Sequence, residues 1–423
     1  MNPTIPRVAS RAEWQPAVRV GFRFAYVWFI FICFPYPLMF MPGLKILAAI
    51  YGELSVAGTA ALAKGLFGPT LSTRETGSTD RAVDWYMLGV SLLLCGLATL
   101  IWSIRTREKE HSQCLEGLRT YVRYTLASAM ITYAVIKLVK IQFPDPELVW
   151  LTETYGESSP HRLLWMFMGY SKTYVFFTGL VELVGALALF FRRTTTLGAL
   201  LSALALTNVV MINFCYDIPV KLWSTELLLM AVFLLLPDLK RLAHVFVFNR
   251  AVEPVPARDP LPPGWKTRAR PYVKAVLIGC ALIAGAQTAS SNQQPPRPAL
   301  YGYYEVSSFV KNGLTLPSAL VEPARWRNLI IGTRDEISIR LMDDTTLRFQ
   351  IKDDPDKRSL TVTKPREKAA LGVLTYAEPA RGELSLSGTF QGDLVEARLQ
   401  KVDRTFPLLE RGFHWVSEAP FNR

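Results

Sequence analysis

Seven polar side chains stand in stretches that are otherwise apolar: Lys137, Glu182, Asn208, Asn213, Asp217, Lys221 and Glu226. Ionisable groups at bilayer depth are costly, and they are normally paired or turned towards a cavity. At about 1.5 Å of rise per residue, Lys137 lies about 6 Å, Glu226 about 10 Å and Glu182 about 14 Å in from the same side. Asn208 reaches a depth like that of Glu182, Asn213 and Asp217 are one turn apart at the outer end of their stretch, and Lys221 follows. A lysine set against a carboxylate offsets part of the desolvation of each. Such a set fits polar glue between helices, lysines snorkelling to the headgroups, or an outward-facing pocket for a ligand or a proton. Gly179 and Gly185 flank Glu182 and let a neighbouring helix come close, and Arg123 sits near the opposite end.

Other chemistries are excluded by residue type. There is no Cys-x-x-Cys and no Cys/His ligand spacing: Cys33, Cys95 and Cys280 lie in apolar stretches, Cys114 in a polar loop and Cys215 near the end of a stretch. A thiol-exchange enzyme needs a paired, accessible thiolate. His111, His161, His244 and His414 are scattered. No haem, flavin or metal motif is present, which argues against a self-contained redox enzyme.

The elements that hold these residues read as membrane spans. The chain has 423 residues, 50% apolar and only 19% charged, with a mean hydropathy of +0.20. Residues 1–291 carry 28 Lys+Arg against 18 Asp+Glu, and residues 292–423 carry 19 against 17, so +10 of the +12 net charge lies in the apolar part. Such an excess reflects membrane topology more simply than nucleic-acid binding. Spans of about 20 apolar residues are expected at Phe24–Gly43, Trp85–Ile104, Thr120–Phe143, Thr173–Phe191, Thr194–Tyr216, Pro219–Leu236 and Ala275–Ser290, with Pro35, Pro37 and Pro42 kinking or ending the first. Leu44–Gly65 carries Lys45, Glu53 and Lys64 and reads as an interfacial or re-entrant helix. The N-terminus reads as lacking a cleavable signal, because Arg7, Arg11, Arg19 and Arg23 lead into a long aromatic span.

With the N-terminus cytoplasmic, inside segments hold 19 Lys/Arg and outside segments 9, which is the expected bias. The loop Pro144–Lys172, acidic and aromatic, reads as an outer interfacial loop or a lid over a membrane cavity. Glu253–Pro271 reads as a basic, Pro-rich cytoplasmic linker, and Ser291–Pro298 as a second spacer.

Beyond Pro298 the apolar period becomes two. Ile337, Ile339 and Leu341, then Leu347, Phe349 and Ile351, then Leu360 and Val362, Leu384 and Leu386, and Val395, Ala397 and Leu399 alternate with polar residues. Turn signals fall at Asp343–Asp344, Asp353–Asp356 and Gln391–Asp393. Eight or nine short strands so spaced suggest an up-and-down barrel or a sandwich. A closed barrel of this size encloses a small apolar ligand or is filled by its own side chains. The ending Arg411–Arg423 reads as a closing strand with a packed aromatic tail.

GLVELVGALALFFRRTTTLGALLSA (Gly179–Ala203) resembles the DoxX family signature, and RYTLASAMITYAVIKL (Arg123–Leu138) is similar to that family's first helix. GESSPHRLLWMFMG, NFCYDIPVKL and the final FHWVSEAPFNR resemble an extended bacterial form of the family. This chain departs from short DoxX proteins by two extra N-terminal spans, one extra C-terminal span and the β domain. The resemblance implies a four-helix core over 120–236 with Lys137, Glu182 and Arg123 among its core residues. Some members are linked to quinone-dependent chemistry.

The expected architecture is therefore a membrane all-α helical bundle of about seven spans plus a C-terminal all-β, barrel-like (lipocalin-like) domain. The boundaries are 1–250 for the bundle, 251–274 for the linker, 275–290 for the last span and 298–423 for the β domain. The expected location is a bacterial inner membrane, with the β domain periplasmic or extracellular. The expected function is an accessory or binding component that holds a quinone, a lipid or a membrane protein partner at the outward polar cluster. A membrane subunit of a quinone-linked oxidoreductase and a small-solute or lipid transporter are the alternatives. No inverted repeat supports transport.

Overall fold

The computed structural model describes residues 13–37, 39, 43–68, 70–253, 264–291, 296–318, 322–365, 367 and 369–419. Arg7, Arg11, Pro42, most of the expected linker (254–263), residues 292–295 of the second spacer and Phe421 lie outside them. The chain divides into two compact units, residues 1–142 with 173–291, and residues 143–172 with 292–423.

The first unit is helical: α1 (Pro16–Cys33), α2 (Lys45–Phe67), α3 (Ala82–Arg105), α4 (Ser112–Leu138), and, after the intervening α5 (Leu148–Leu151) and α6 (Pro160–Tyr170), α7 (Lys172–Leu189), α8 (Thr195–Cys215), α9 (Lys221–Leu235), α10 (Leu239–Phe246) and α11 (Trp265–Ser291). Among the described residues seven helices are long and apolar enough to cross a membrane. They lie within α1, α2, α3, α7, α8, the α9–α10 segment and α11. Helix α4 is not one of them, because it carries Glu116, Arg119, Arg123 and Lys137. It packs against α1, α9 and α11, so a helix enclosed by others needs no apolar outer face.

Helix α1 lies some eight residues earlier than the sequence suggests. Pro16 occupies its first turn, where the missing N–H costs nothing. Pro35 and Pro37 stop it, since the residue before a proline avoids helical backbone. Arg19 and Arg23 consequently fall inside the helix. Arg23 is buried; its Nε donates to His111 Nε2 at 3.2 Å and its Nη2 to the Glu108 carbonyl at 3.1 Å. Trp102 lies under the guanidinium and Phe22 stacks on the imidazole. At the other end of α11, residues assigned by sequence to the linker are helical from Trp265, with Pro271 inside the helix.

The His111 cluster carries a pH dependence. Burial, and then the neighbouring Arg23 charge, push the His111 imidazole below its ordinary range, so the folded state prefers the neutral ring. The stability is complete above about pH 6.5, the ordinary histidine value, and is lost as the pH falls below it. The melting temperature of the detergent-solubilised protein is expected to drop between pH 7.5 and 5.5. The drop should be smaller in His111→Gln; an equal drop in both proteins would remove His111 from the account.

Three contacts fix the direction of the first helices. Trp14 N donates to the Lys109 carbonyl, next to the end of α3. At the other end, Tyr36 stacks on Trp223 at 5.2 Å, and Thr79, just before α3, donates to the Pro219 carbonyl. Helices α1 and α3 are therefore antiparallel, and the connection carrying α2 begins and ends at the Pro219–Trp223 end of α9.

The second unit holds a closed β-barrel. Its strands are β1 (Gly302–Lys311), β2 (Leu314–Thr315), β3 (Trp326–Ile331), β4 (Glu336–Leu341), β5 (Thr346–Asp354), β6 (Ser359–Thr363), β7 (Ala370–Ala377), β8 (Glu383–Phe390) and β9 (Asp393–Lys401). Each of β3 to β9 pairs antiparallel with the next, β3 pairs with β1, and β9 returns to β1 from Tyr304↔Lys401 to Lys311↔Val395. Eight strands close the barrel; β2 is a short appendage on β1. The alternating residues named above point inward, and Trp326 packs against Phe309 at 5.1 Å and Phe390 at 5.3 Å. The interior is thus filled by its own side chains. Asp344, Gln391 and Gly392 adopt positive φ, as tight hairpin turns require.

Residues 143–172 belong to this second unit. Val149 of α5 packs on Tyr303 and Ile330, outward-facing residues of β1 and β3. Glu153 pairs with Arg348 of β5 and with Arg162 of α6. Glu147 lies 3.5 Å from Arg334, and burial pushes its carboxyl up while that arginine pulls it down. The acidic loop is therefore seated on the outer wall of the barrel. The end of the chain differs from expectation: 411–419 contain no strand, and Phe413, Trp415 and Val416 are exposed.

Candidate functional site

The polar residues in the helical unit separate into groups. Lys137, one residue from the end of α4, and Glu182, in the middle of α7, form a buried ion pair through Glu182 Oε1. The glycines explain how two helices bring these groups together. A Cβ on Gly179 would lie 2.9 Å from Lys137 Cβ and 3.2 Å from the Ala134 carbonyl, so α7 meets α4 one turn before Glu182. A Cβ on Gly185 would meet Ser202 Oγ of α8 at 3.2 Å, which sets the other side of the same helix. Glu182 Oε2 is buried and has no hydrogen-bond partner among the described residues.

Around this pair stand groups that sequence reasoning did not single out. Tyr133, one turn before Lys137 on α4, lies within electrostatic reach of Glu182 and beside Trp223. Tyr36 stacks on Trp223 and lies within reach of both Tyr133 and Glu226. Glu226, on α9, makes no hydrogen bond or ion pair among the described residues. Lys137, Glu182, Tyr133, Tyr36, Trp223 and Glu226 thus form one neighbourhood. It offers an ammonium, two phenols and an indole N–H as donors and two carboxylates as acceptors, among aromatic walls. Aromatic residues are so common in the apolar stretches that Tyr36, Tyr133 and Trp223 carried no distinguishing signal. The i, i+4 spacing of Tyr133 and Lys137 was the one available clue.

The remaining candidates serve the α8–α9 connection. Asn213 Nδ2 donates to Ser224 Oγ at 2.9 Å, and its carbonyl accepts from Ile218 N. Lys221 Nζ donates to Asp217 Oδ1 at 2.7 Å and lies 3.7 Å from Asp80. Asp80 also caps α9, accepting from Lys221 N at 2.8 Å and Leu222 N at 3.0 Å. This satisfies orphan donors of the first turn from a residue remote in sequence. Asn208 is exposed on α8. At the opposite end of α4, Arg123 is buried over Tyr124 and donates to Thr195 Oγ1 at 3.2 Å.

A helical unit with seven membrane-length helices, a buried lysine–glutamate pair and a C-terminal β-barrel define the class of protein. Within it, the chain is 33% identical over 139 residues to the uncharacterized protein YwoB of Bacillus subtilis (strain 168), a match covering 32% of this chain and 84% of that one. The chain belongs to the family of that protein. No family model matches it, and no solved structure does.

Proposed function

We propose that the chain is a multi-pass bacterial inner-membrane protein of DoxX type, in which the Lys137–Glu182 neighbourhood holds a quinone or lipid head. The N-terminus and the α9–α11 connection lie in the cytoplasm, and the barrel lies outside it. The surplus of Lys and Arg in the inside segments supports this orientation.

One observation carries the binding role: a buried Lys–Glu pair with a free carboxylate oxygen, set beside Tyr133, Tyr36, Trp223 and a second carboxylate. A quinone head needs donors for its carbonyls and an apolar slot for its ring. Lys137, the two phenols and the Trp223 indole meet the first need, and the aromatic walls meet the second. In this reading the chain's own residues bind and orient the head, an accessory role.

The test is chemical. Protein purified in mild detergent from bacterial membranes is expected to retain extractable quinone or a defined lipid, measured by mass spectrometry per mole of protein. In Lys137→Met/Glu182→Leu, which keeps the pair's volume without its charge, that amount should fall at least about tenfold, the equivalent of 1.4 kcal/mol. Equal retention in the folded double variant would overturn the reading and leave the pair as packing.

A further inference from the structure

The seating of α5 on the barrel creates a cleft that the membrane site does not use. Its floor is the outer face of three strands. Pairing places Ile330, Ser338 and Arg348 in one row across β3, β4 and β5, and Asn328, Arg340 and Thr346 in the next. Val149, Thr152 and Glu153 form one wall, and Tyr303 and Arg404 another.

The outer face of a barrel is ordinarily in contact with water. Here Asn328 is only 7% exposed and Ser338 only 4%. Neither side chain makes a hydrogen bond among the described residues, yet both line the cleft. Neither is among the fully enclosed polar atoms that lack a partner, so the amide and the hydroxyl open onto the cleft, where they can donate to a bound group.

Charge identifies that partner. Arg340, Arg348 and Arg404 converge on the cleft. Arg348 is held by Glu153, which Arg162 also binds, and Arg340 donates to Asp344 at 3.0 Å. With Arg327, which also donates to Asp344, five guanidiniums stand against these two carboxylates and leave three positive charges in excess. Arg404 makes no ion pair among the described residues; it lies over Tyr303 at 5.4 Å and Phe406 at 5.5 Å. Planar guanidiniums with an amide and a hydroxyl below them supply more donors than one carboxylate can use, and they match the oxygens and double charge of a phosphate ester.

We propose that this cleft binds a phosphate group, carried either by a lipid head or by a small soluble ester.

Calorimetric titration of the full chain in detergent with inorganic phosphate, at constant ionic strength, tests the proposal. Saturable binding is expected, weakened about tenfold in Arg404→Met by loss of one charge-assisted contact. Because Arg404 is exposed and free of ion pairs, its melting temperature should not move. Asn328→Ala should weaken binding as well. A titration that does not saturate, or affinities unchanged in both variants, would overturn the proposal.

Nanodiscs separate the sources. If phosphatidic acid discs abolish phosphate binding while phosphatidylcholine discs preserve it, the group is a lipid head. If phosphate binds equally in both, it belongs to a soluble ester.

Discussion

Lys137→Met is expected to destabilise the helical unit by about 3–5 kcal/mol, the range measured when one partner of a buried ion pair is removed. The reason is the carboxylate left behind. Glu182 is buried, and among the described residues Lys137 is the one partner of its Oε1 and its Oε2 has none. Gly179 holds α7 so close to α4 that the helices cannot part to admit water without losing their packing. Lys137→Met/Glu182→Leu removes both charges at similar volume, and it should recover most of the loss, because replacing a whole buried pair with apolar residues is often neutral or stabilising. The measurement is chemical unfolding of each variant in the same detergent. If Lys137→Met alone unfolds like the wild type, the pair is hydrated and the buried arrangement is wrong.

This pair also shows what a sequence can reveal about a membrane site. Lys137, Glu182 and the flanking glycines were legible because charges and small residues stand out in apolar stretches. Two helices separated by a loop of more than thirty residues then had to meet at those positions, and Gly179 and Gly185 told where. Asn213, Asp217 and Lys221 stand out for the same reason but do different work: they fasten the turn between α8 and α9. Polarity in an apolar stretch marks a constraint without saying whether it serves a ligand or a corner. Asp80 illustrates the opposite blindness. It lies just before α3, yet it caps α9. Nothing local shows this.

The barrel was more legible than the helices because a closed meander is built from neighbours. Strand β5 pairs with β4 and β6, β8 with β7 and β9, and the period-two pattern directly assigns inside and outside. Strand β3 escaped, since Asn328 and Ile330 are also covered and the alternation vanishes. The cover comes from Val149 and Glu153, far away in sequence. The acidic residues of that loop suggested water or headgroups; in fact Glu147 and Glu153 face arginines of the barrel wall.

The barrel's own stability rests on its aromatic centre, and Trp326→Ala is expected to cost about 3–5 kcal/mol, the usual range for deleting a large buried aromatic. Trp326 is 3% exposed and touches both Phe309 and Phe390. Those two belong to β1 and β8, so the indole braces strands that do not pair with each other. The surroundings cannot collapse into the gap easily, because closure through β1 and β9 fixes the circumference. A matched control is Trp415→Ala. That indole is 91% exposed, and its removal should stay within about 0.5 kcal/mol, as surface changes do. Thermal unfolding of the full chain in detergent, followed by the β-sheet circular dichroism signal, compares the two. For a domain of this size the Trp326 variant should melt roughly 10 °C or more below the wild type. A shift no larger than that of Trp415→Ala would mean that the interior tolerates a large void. The barrel would then be a container for a guest molecule, with no solid core of its own.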